Sequence, residues 1–105
     1  MSPTPRRGEV WLADLDKRRP IIVLTRDPMG RYLNAVLAAP VTSTVRGLST
    51  EVPVGPADGI RRAAVANLDN LQLVPREALH KRVGMVRPDT LTQLCEALRH
   101  AVACW

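Results

Sequence analysis

Aromatic side chains are nearly missing from this 105-residue chain, which has two Trp, one Tyr and no Phe. Any core must therefore be built from Val, Leu, Ile and Ala. The same scarcity limits base stacking as a way of reading single-stranded nucleic acid, since only Trp11, Tyr32 and Trp105 could serve. Trp11 lies in a strand-like segment, where a core role is expected. Cysteine is also scarce. Cys95 and Cys104 stand nine residues apart on one expected helix and would project from opposite sides of it. They cannot bridge there, and no C-x-x-C spacing suggests a metal. A reducing, cytoplasmic setting fits. No signal peptide is visible and no apolar run is long enough for a bilayer, which argues against a membrane role. The phosphate loop G-x-x-x-x-G-K-[ST], the zinc motif H-E-x-x-H and the nucleophile elbow G-x-S-x-G are all absent. Both histidines, His80 and His100, come late and sit beside Lys or Arg in segments that read as solvated. A ribonuclease built on a histidine pair is not expected.

What the chain does have is positive charge, with 15 Lys and Arg against 10 Asp and Glu, a formal +5. Such an excess suits an anionic partner such as nucleic acid, and it also suits simple solubility. The cations gather at Arg6-Arg7, Lys17-Arg18-Arg19, Arg61-Arg62 and Lys81-Arg82, with further single arginines such as Arg46 and Arg87. Most of these segments read as loops or strand ends.

Residues 1–7 read as a flexible arm, broken by Pro3 and Pro5. Strands are expected over Gly8–Leu15, Pro20–Thr25, Leu33–Thr42, Thr50–Val54, Ala63–Leu68 with a continuation over Leu71–Val74, and Val83–Val86. The run PIIVLT is continuous and β-branched, as in a strand buried on both faces. Pro20 suits its first residue, and Pro40 and Pro53 suggest edges, bulges or ends. Pro75 opens a short helical turn. From Pro88, the positions Leu91, Leu94, Cys95, Leu98, Ala101 and Val102 follow helical spacing. Arg87 before it is a poor N-cap. Many short strands followed by one amphipathic helix predict a mainly β (α+β) domain over residues 8–105. The expected form is a small bent barrel rather than a βαβ sheet, because no crossover helix separates the early strands.

The residues left for chemistry are Arg19, just before a rigid strand, and Thr42-Ser43 at the end of another. Phosphoryl transfer depends on charge placed against the phosphate. A guanidinium offers a planar fork to two phosphate oxygens and stays cationic, and a hydroxyl adds a donor from another side. Whether these strand ends meet is not readable from the sequence, and Arg19 as a plain surface cation or Thr42 as a β-former stays open.

Several stretches, in order, resemble the MazF/PemK (Kid) family of bacterial toxin–antitoxin toxins. RGEVWLADLD resembles the family's opening strand, and RRPIIVLTRD its R-P-hydrophobic strand. APVTSTVRGLSTEVPV follows the pattern P-[IV]-T-S…G…[PS]-T-E-V. GIRRAAVANLDNL resembles G-L-x-x-[DE]-S-V-A-x-x-[DE]-Q-[IL]. The resemblance implies an SH3-like barrel of five to seven short strands, a two-fold homodimer, and cleavage of single-stranded RNA without metal or cofactor. In such enzymes the ribose 2′-OH attacks the adjacent phosphate, leaving a 2′,3′-cyclic phosphate and a 5′-OH. It implies Arg19 and Thr42 as catalytic residues, Arg19 stabilising the pentacoordinate phosphate and assisting proton movement, and Thr42 holding a phosphate oxygen. Ser43, Arg46, Asp69 and Asn70 are implied RNA contacts. Lys17 and Arg18 would add affinity without selecting sequence, or form a solvated hairpin tip. A cognate antitoxin is the implied partner, its disordered segment lying over the basic groove.

Three features depart from the family pattern. The first loop is short, with Asp16 reaching Arg19 almost at once, so a tight hairpin is expected instead of a lid. Ala63-Ala64 stand where an acidic residue and Ser are usual. Asn70 replaces Gln. Two other readings remain: a non-enzymatic toxin like the gyrase poison CcdB, which shares the fold and acts through a C-terminal helix ending near a Trp, and an RNA-binding module with impaired catalysis.

Overall fold

A computed structural model describes residues 4–27 and 33–103. Seven strands and one long helix form in the order β1 (Glu9–Asp14), β2 (Arg18–Val23), β3 (Ala35–Thr42), β4 (Glu51–Val54), β5 (Ala64–Asn67), β6 (Gln72–Pro75), β7 (Leu79–Met85) and α1 (Pro88–Val102). All pairings are antiparallel, in the order β4-β5-β3-β2-β1-β7, with β6 also on β3. This is the expected β-rich domain with a C-terminal helix.

Strands β1 and β2 are the spine, because alternate residues face two separate cores. Val10 and Ile22 join Leu24, Val41, Val52, Leu68 and Leu94 in one core, against which α1 packs. Trp11, Ile21 and Val23 join Val36, Ala38 and Val74 in the other. Ile21, Ile22 and Val23 are all fully buried, as a two-faced apolar strand requires. Trp11 is a core residue, with its indole N–H donating to the Glu9 carboxylate at 3.2 Å.

Strand β3 makes a long bent platform. It pairs with β6 over residues 35–38 and with β5 over residues 41–42. Pro40, which has no N–H to give, stands in the gap between those ladders while facing Ile21 of β2. Pro53 lies in β4, an end strand of the order.

Several sequence expectations shift. Strand β2 begins at Arg18, so Pro20 is its third residue and Arg19 belongs to the strand itself. The β6 segment continues the sheet, as expected, but it pairs with β3 and not with β5. A 3-10 turn over Leu68–Asn70 redirects it onto β3. Strand β7 starts four residues before Val83 and carries His80, Lys81 and Arg82 outward on a strand that, among the described residues, pairs only with β1. Charged residues on such an edge block unwanted pairing. The arm is docked from Pro5 onward: Pro5 is buried, the Arg6 N–H donates to Glu9 at 2.7 Å and the Arg7 N–H to Asp27 at 3.0 Å.

The weak cap at Arg87 is made good from a distance. Asp58, buried at the end of the Pro56–Asp58 turn, accepts hydrogen bonds from the Arg87 N–H at 2.9 Å and the Thr90 hydroxyl at 2.7 Å. A residue nearly thirty positions upstream thus supplies the cap that position 87 lacks. Burial alone would raise the Asp58 pKa, but the hydrogen bonds from Arg87, Thr90 and Gly55 together hold it below the ordinary carboxyl value.

The same turn ends in a close backbone approach. Gly59 adopts a φ of 83°, and a Cβ on it would stand 2.7 Å from the Gly84 Cα. A Cβ on Gly84 would stand 2.6 Å from the Gly59 Cα. Only glycine fits at this crossing.

Candidate nucleic-acid interface

The first hairpin turns tightly. Asp14 faces Arg18 across the β1–β2 ladder, leaving only residues 15–17 to turn the chain. Arg19 follows on β2 and is held by a two-point fork: its Nε donates to Asp16 at 3.0 Å and its Nη2 to the other Asp16 oxygen at 3.1 Å. The bond from Arg19 lowers the Asp16 pKa to about 2, and the same pairing raises that of Arg19. Asp16 is thus a carboxylate at any working pH and a weak base.

Strands β2 and β3 pair Ile22 with Ala39 and Ile21 with Pro40. The ladder ends there, and Arg19 and Thr42 are the residues two positions beyond it on the two strands. The Thr42 hydroxyl oxygen accepts the Thr44 N–H at 3.1 Å, which fixes the oxygen and leaves its O–H free to donate.

Arg19 and Thr42 border one cleft of about 520 Å³. The β1–β2 tip gives it Lys17, Arg18 and Arg19, β3 gives Thr42 and Ser43, and the far wall is Arg61-Arg62-Ala63-Ala64. Its floor is apolar, including Leu12, Ile60 and Val83, and none of its lining residues is acidic. An adjoining cleft of about 210 Å³ again has Arg19 and Thr42, now with Arg46, Asn67 and Asn70. A third, of about 430 Å³, runs from Arg19 to Asn70 and Gln72. Arg19 therefore stands where three depressions join.

Of the residues singled out from sequence, Lys17, Arg18, Arg19, Thr42, Ser43, Arg46 and Asn70 border this connected surface. Asp69 does not border these clefts. Its carboxylate accepts the Thr50 hydroxyl and its N–H donates to Asn67, so it braces the turn beneath the site. Arg46 is held by its loop, whose N–H groups at Arg46, Gly47 and Leu48 all donate to the Glu51 carboxylate. Arg61 and Arg62 were not among the site residues expected from sequence. The adjacent charge pair was a visible signal, but nothing local told which other loop it would face. Ala63 and Ala64 do line the groove, so their lost polar groups would have faced it. Neither histidine borders the clefts at Arg19, and both side chains are exposed. Among the described residues, no group of three or more His, Cys, Asp or Glu could hold a metal ion, and no helix is long and apolar enough to cross a membrane. Tyr32, Cys104 and Trp105 lie outside the described residues.

Comparison with known proteins identifies the family of the chain. A family profile described as PemK-like, MazF-like toxin of type II toxin-antitoxin system matches residues 6–102. Endoribonuclease MazF3 of Mycobacterium tuberculosis is 39% identical over 92 residues, covering 88% of this chain and 89% of that protein. Probable endoribonuclease MazF5 of the same organism is 39% identical over 107 residues, covering 99% and 98%. Among solved structures, Mycobacterium tuberculosis toxin MazF-mt6 superposes with a TM-score of 0.86 at 38% identity, over 90% of this chain and 96% of that one. An endoribonuclease in complex with its cognate antitoxin, from a mycobacterial species, superposes with a TM-score of 0.87 at 28% identity, over 96% and 97%. Fold, matched span and identity agree: the chain belongs to the PemK-like, MazF-like toxins of type II toxin–antitoxin systems.

Proposed function

We propose that this toxin is an endoribonuclease that cuts single-stranded RNA, without metal or cofactor, at short preferred sequences. The observation that carries the reading is the shared cleft edge of Arg19 and Thr42, with cations on both walls. In the proposed step the ribose 2′-oxygen bonds to the adjacent phosphorus and loses its proton. The bond from phosphorus to the 5′-oxygen breaks, and that oxygen takes up a proton. The products are a 2′,3′-cyclic phosphate and a 5′-OH. Arg19 leaves its Asp16 partner in part to meet the charge growing on the phosphate oxygens, and the Thr42 hydroxyl donates to one of them. Ser43, Arg46 and Asn70 contact the strand on either side of the scissile step. Lys17 and Arg18 add affinity that is insensitive to sequence. Asp69 contributes by bracing the turn that carries Asn70.

The protein acts in the cytoplasm as a homodimer, and a cognate antitoxin silences it by laying an acidic, disordered segment over the same basic groove. The antitoxin complex of the mycobacterial relative supports that partner.

The test is to map new 5′-OH ends on a long RNA incubated with the protein in EDTA. Cleavage is expected, and Arg19→Ala and Thr42→Ala should each slow it by about two to three orders of magnitude with the fold retained. Cutting by Arg19→Ala at the original rate would remove the mechanism. Tight RNA binding with no new ends would instead favour an impaired module in which Asp16 never releases Arg19.

A further inference from the structure

Five cations line the large cleft, but they are not in the same state. Arg18 and Arg19 already face carboxylates, those of Asp14 and Asp16, at 2.8 and 3.0 Å. Across the cleft, the guanidinium groups of Arg61 and Arg62 have no hydrogen bond or ion pair to any described residue. Their backbone is nevertheless well held. Ile60, just before them, is buried in the first core and donates its N–H to Gly55 at 3.1 Å. Gly59 is pressed against Gly84, and Ala64, just after them, enters β5. Two uncommitted forks thus extend from an anchored turn over an apolar floor.

We propose that Arg61 and Arg62 form a phosphate-binding wall for the nucleotides flanking the scissile step. The occupant is single-stranded RNA, chosen because its evenly spaced anions match cations on both walls and because its bases can rest on Leu12, Ile60 and Val83. Ala63 and Ala64 give the base next to this wall no side-chain donor or acceptor. The wall therefore adds affinity and leaves that nucleotide unselected. This rests on the nuclease reading for its cleavage arm only.

The experiment compares the wild type with the double variant Arg61→Ala/Arg62→Ala, and with Arg61→Lys/Arg62→Lys. Equilibrium binding of a short fluorescein-labelled single-stranded RNA is measured across a salt series, in a Thr42→Ala background so that the probe survives. The alanine pair should weaken binding about tenfold near physiological salt, and should flatten the log–log salt slope by about 0.7 for each phosphate no longer neutralised. The lysine pair should restore most of the slope. In the active background KM should rise, kcat should stay within about twofold, and the preferred cleavage sequence should not change. Unchanged affinity and slope would overturn the proposal. So would a loss confined to a poly-glutamate peptide with RNA binding intact, which would assign the wall to an acidic protein partner. If the wild type binds RNA through this wall but never cuts it, the wall stands and the nuclease reading falls.

Discussion

Replacing Asp58 by Ala should destabilise the protein far more than its position in a short turn suggests. The side chain is almost fully buried and accepts from the Arg87 N–H at 2.9 Å, the Thr90 hydroxyl at 2.7 Å and the Gly55 N–H at 3.3 Å. Loss of a helix cap costs about 1 kcal/mol. Thr90 is itself buried, and stranding its hydroxyl adds about 1–2 kcal/mol more. The total is about 2–3 kcal/mol, which for a domain of this size lowers Tm by roughly 10–15 °C. Circular dichroism melts of wild type and Asp58→Ala measure it directly. Asp58→Asn keeps an acceptor for Arg87 and Thr90 and should lose about half as much. The sign with pH follows from the direction of the shift. The folded pKa lies below the ordinary 3.8, so this contribution is complete above that value and fades as pH falls through the folded pKa. A Tm change under about 3 °C in Asp58→Ala would refute the claim that this carboxylate caps α1.

Two further outcomes can be checked. Gly84→Ala forces a Cβ to within 2.6 Å of the Gly59 backbone, so its urea midpoint should fall by the equivalent of about 2 kcal/mol or more; an unchanged midpoint would mean that the crossing is loose. The Asp16 carboxyl should titrate by NMR near 2, below the ordinary 3.8, because Arg19 stabilises its charged form; a midpoint at 3.8 would mean that the fork is not populated in solution.

Local pattern made much of this molecule legible. The β-branched run at Ile21–Val23 specified a strand buried on both faces, and the helical spacing of Leu91, Leu94 and Leu98 specified α1. Pro40 was legible as a discontinuity, although only the change of neighbours on β3 gives its reason. What stayed hidden was long-range. No window around Arg87 contains Asp58, so its cap could not be read there. The residues Leu79–Arg82 look like a solvated connection because an edge strand keeps its polar residues outward. Arg19 and Thr42 were singled out by type and position, but that they border one cleft depends on how β2 and β3 lie together. Arg61 and Arg62 were visible as charge, but that they share a cleft with Lys17 could not be read, because it requires the turn at Gly59 to be fixed first. Asp69 looked like a groove residue because its hydrogen bond to Thr50 spans nineteen positions.

The crossing of Gly59 and Gly84 has a consequence for the width of the groove. Gly84 sits beside Val10 on β1, and β1 turns directly into the hairpin that carries Lys17 and Arg18. The two jaws are therefore clamped to a common rail of main chain, and their spacing is set by peptide geometry, not by any side chain that mutation could trim. Relatives could exchange the teeth on either jaw, and so retune which strand is gripped, while the calliper itself keeps its gauge.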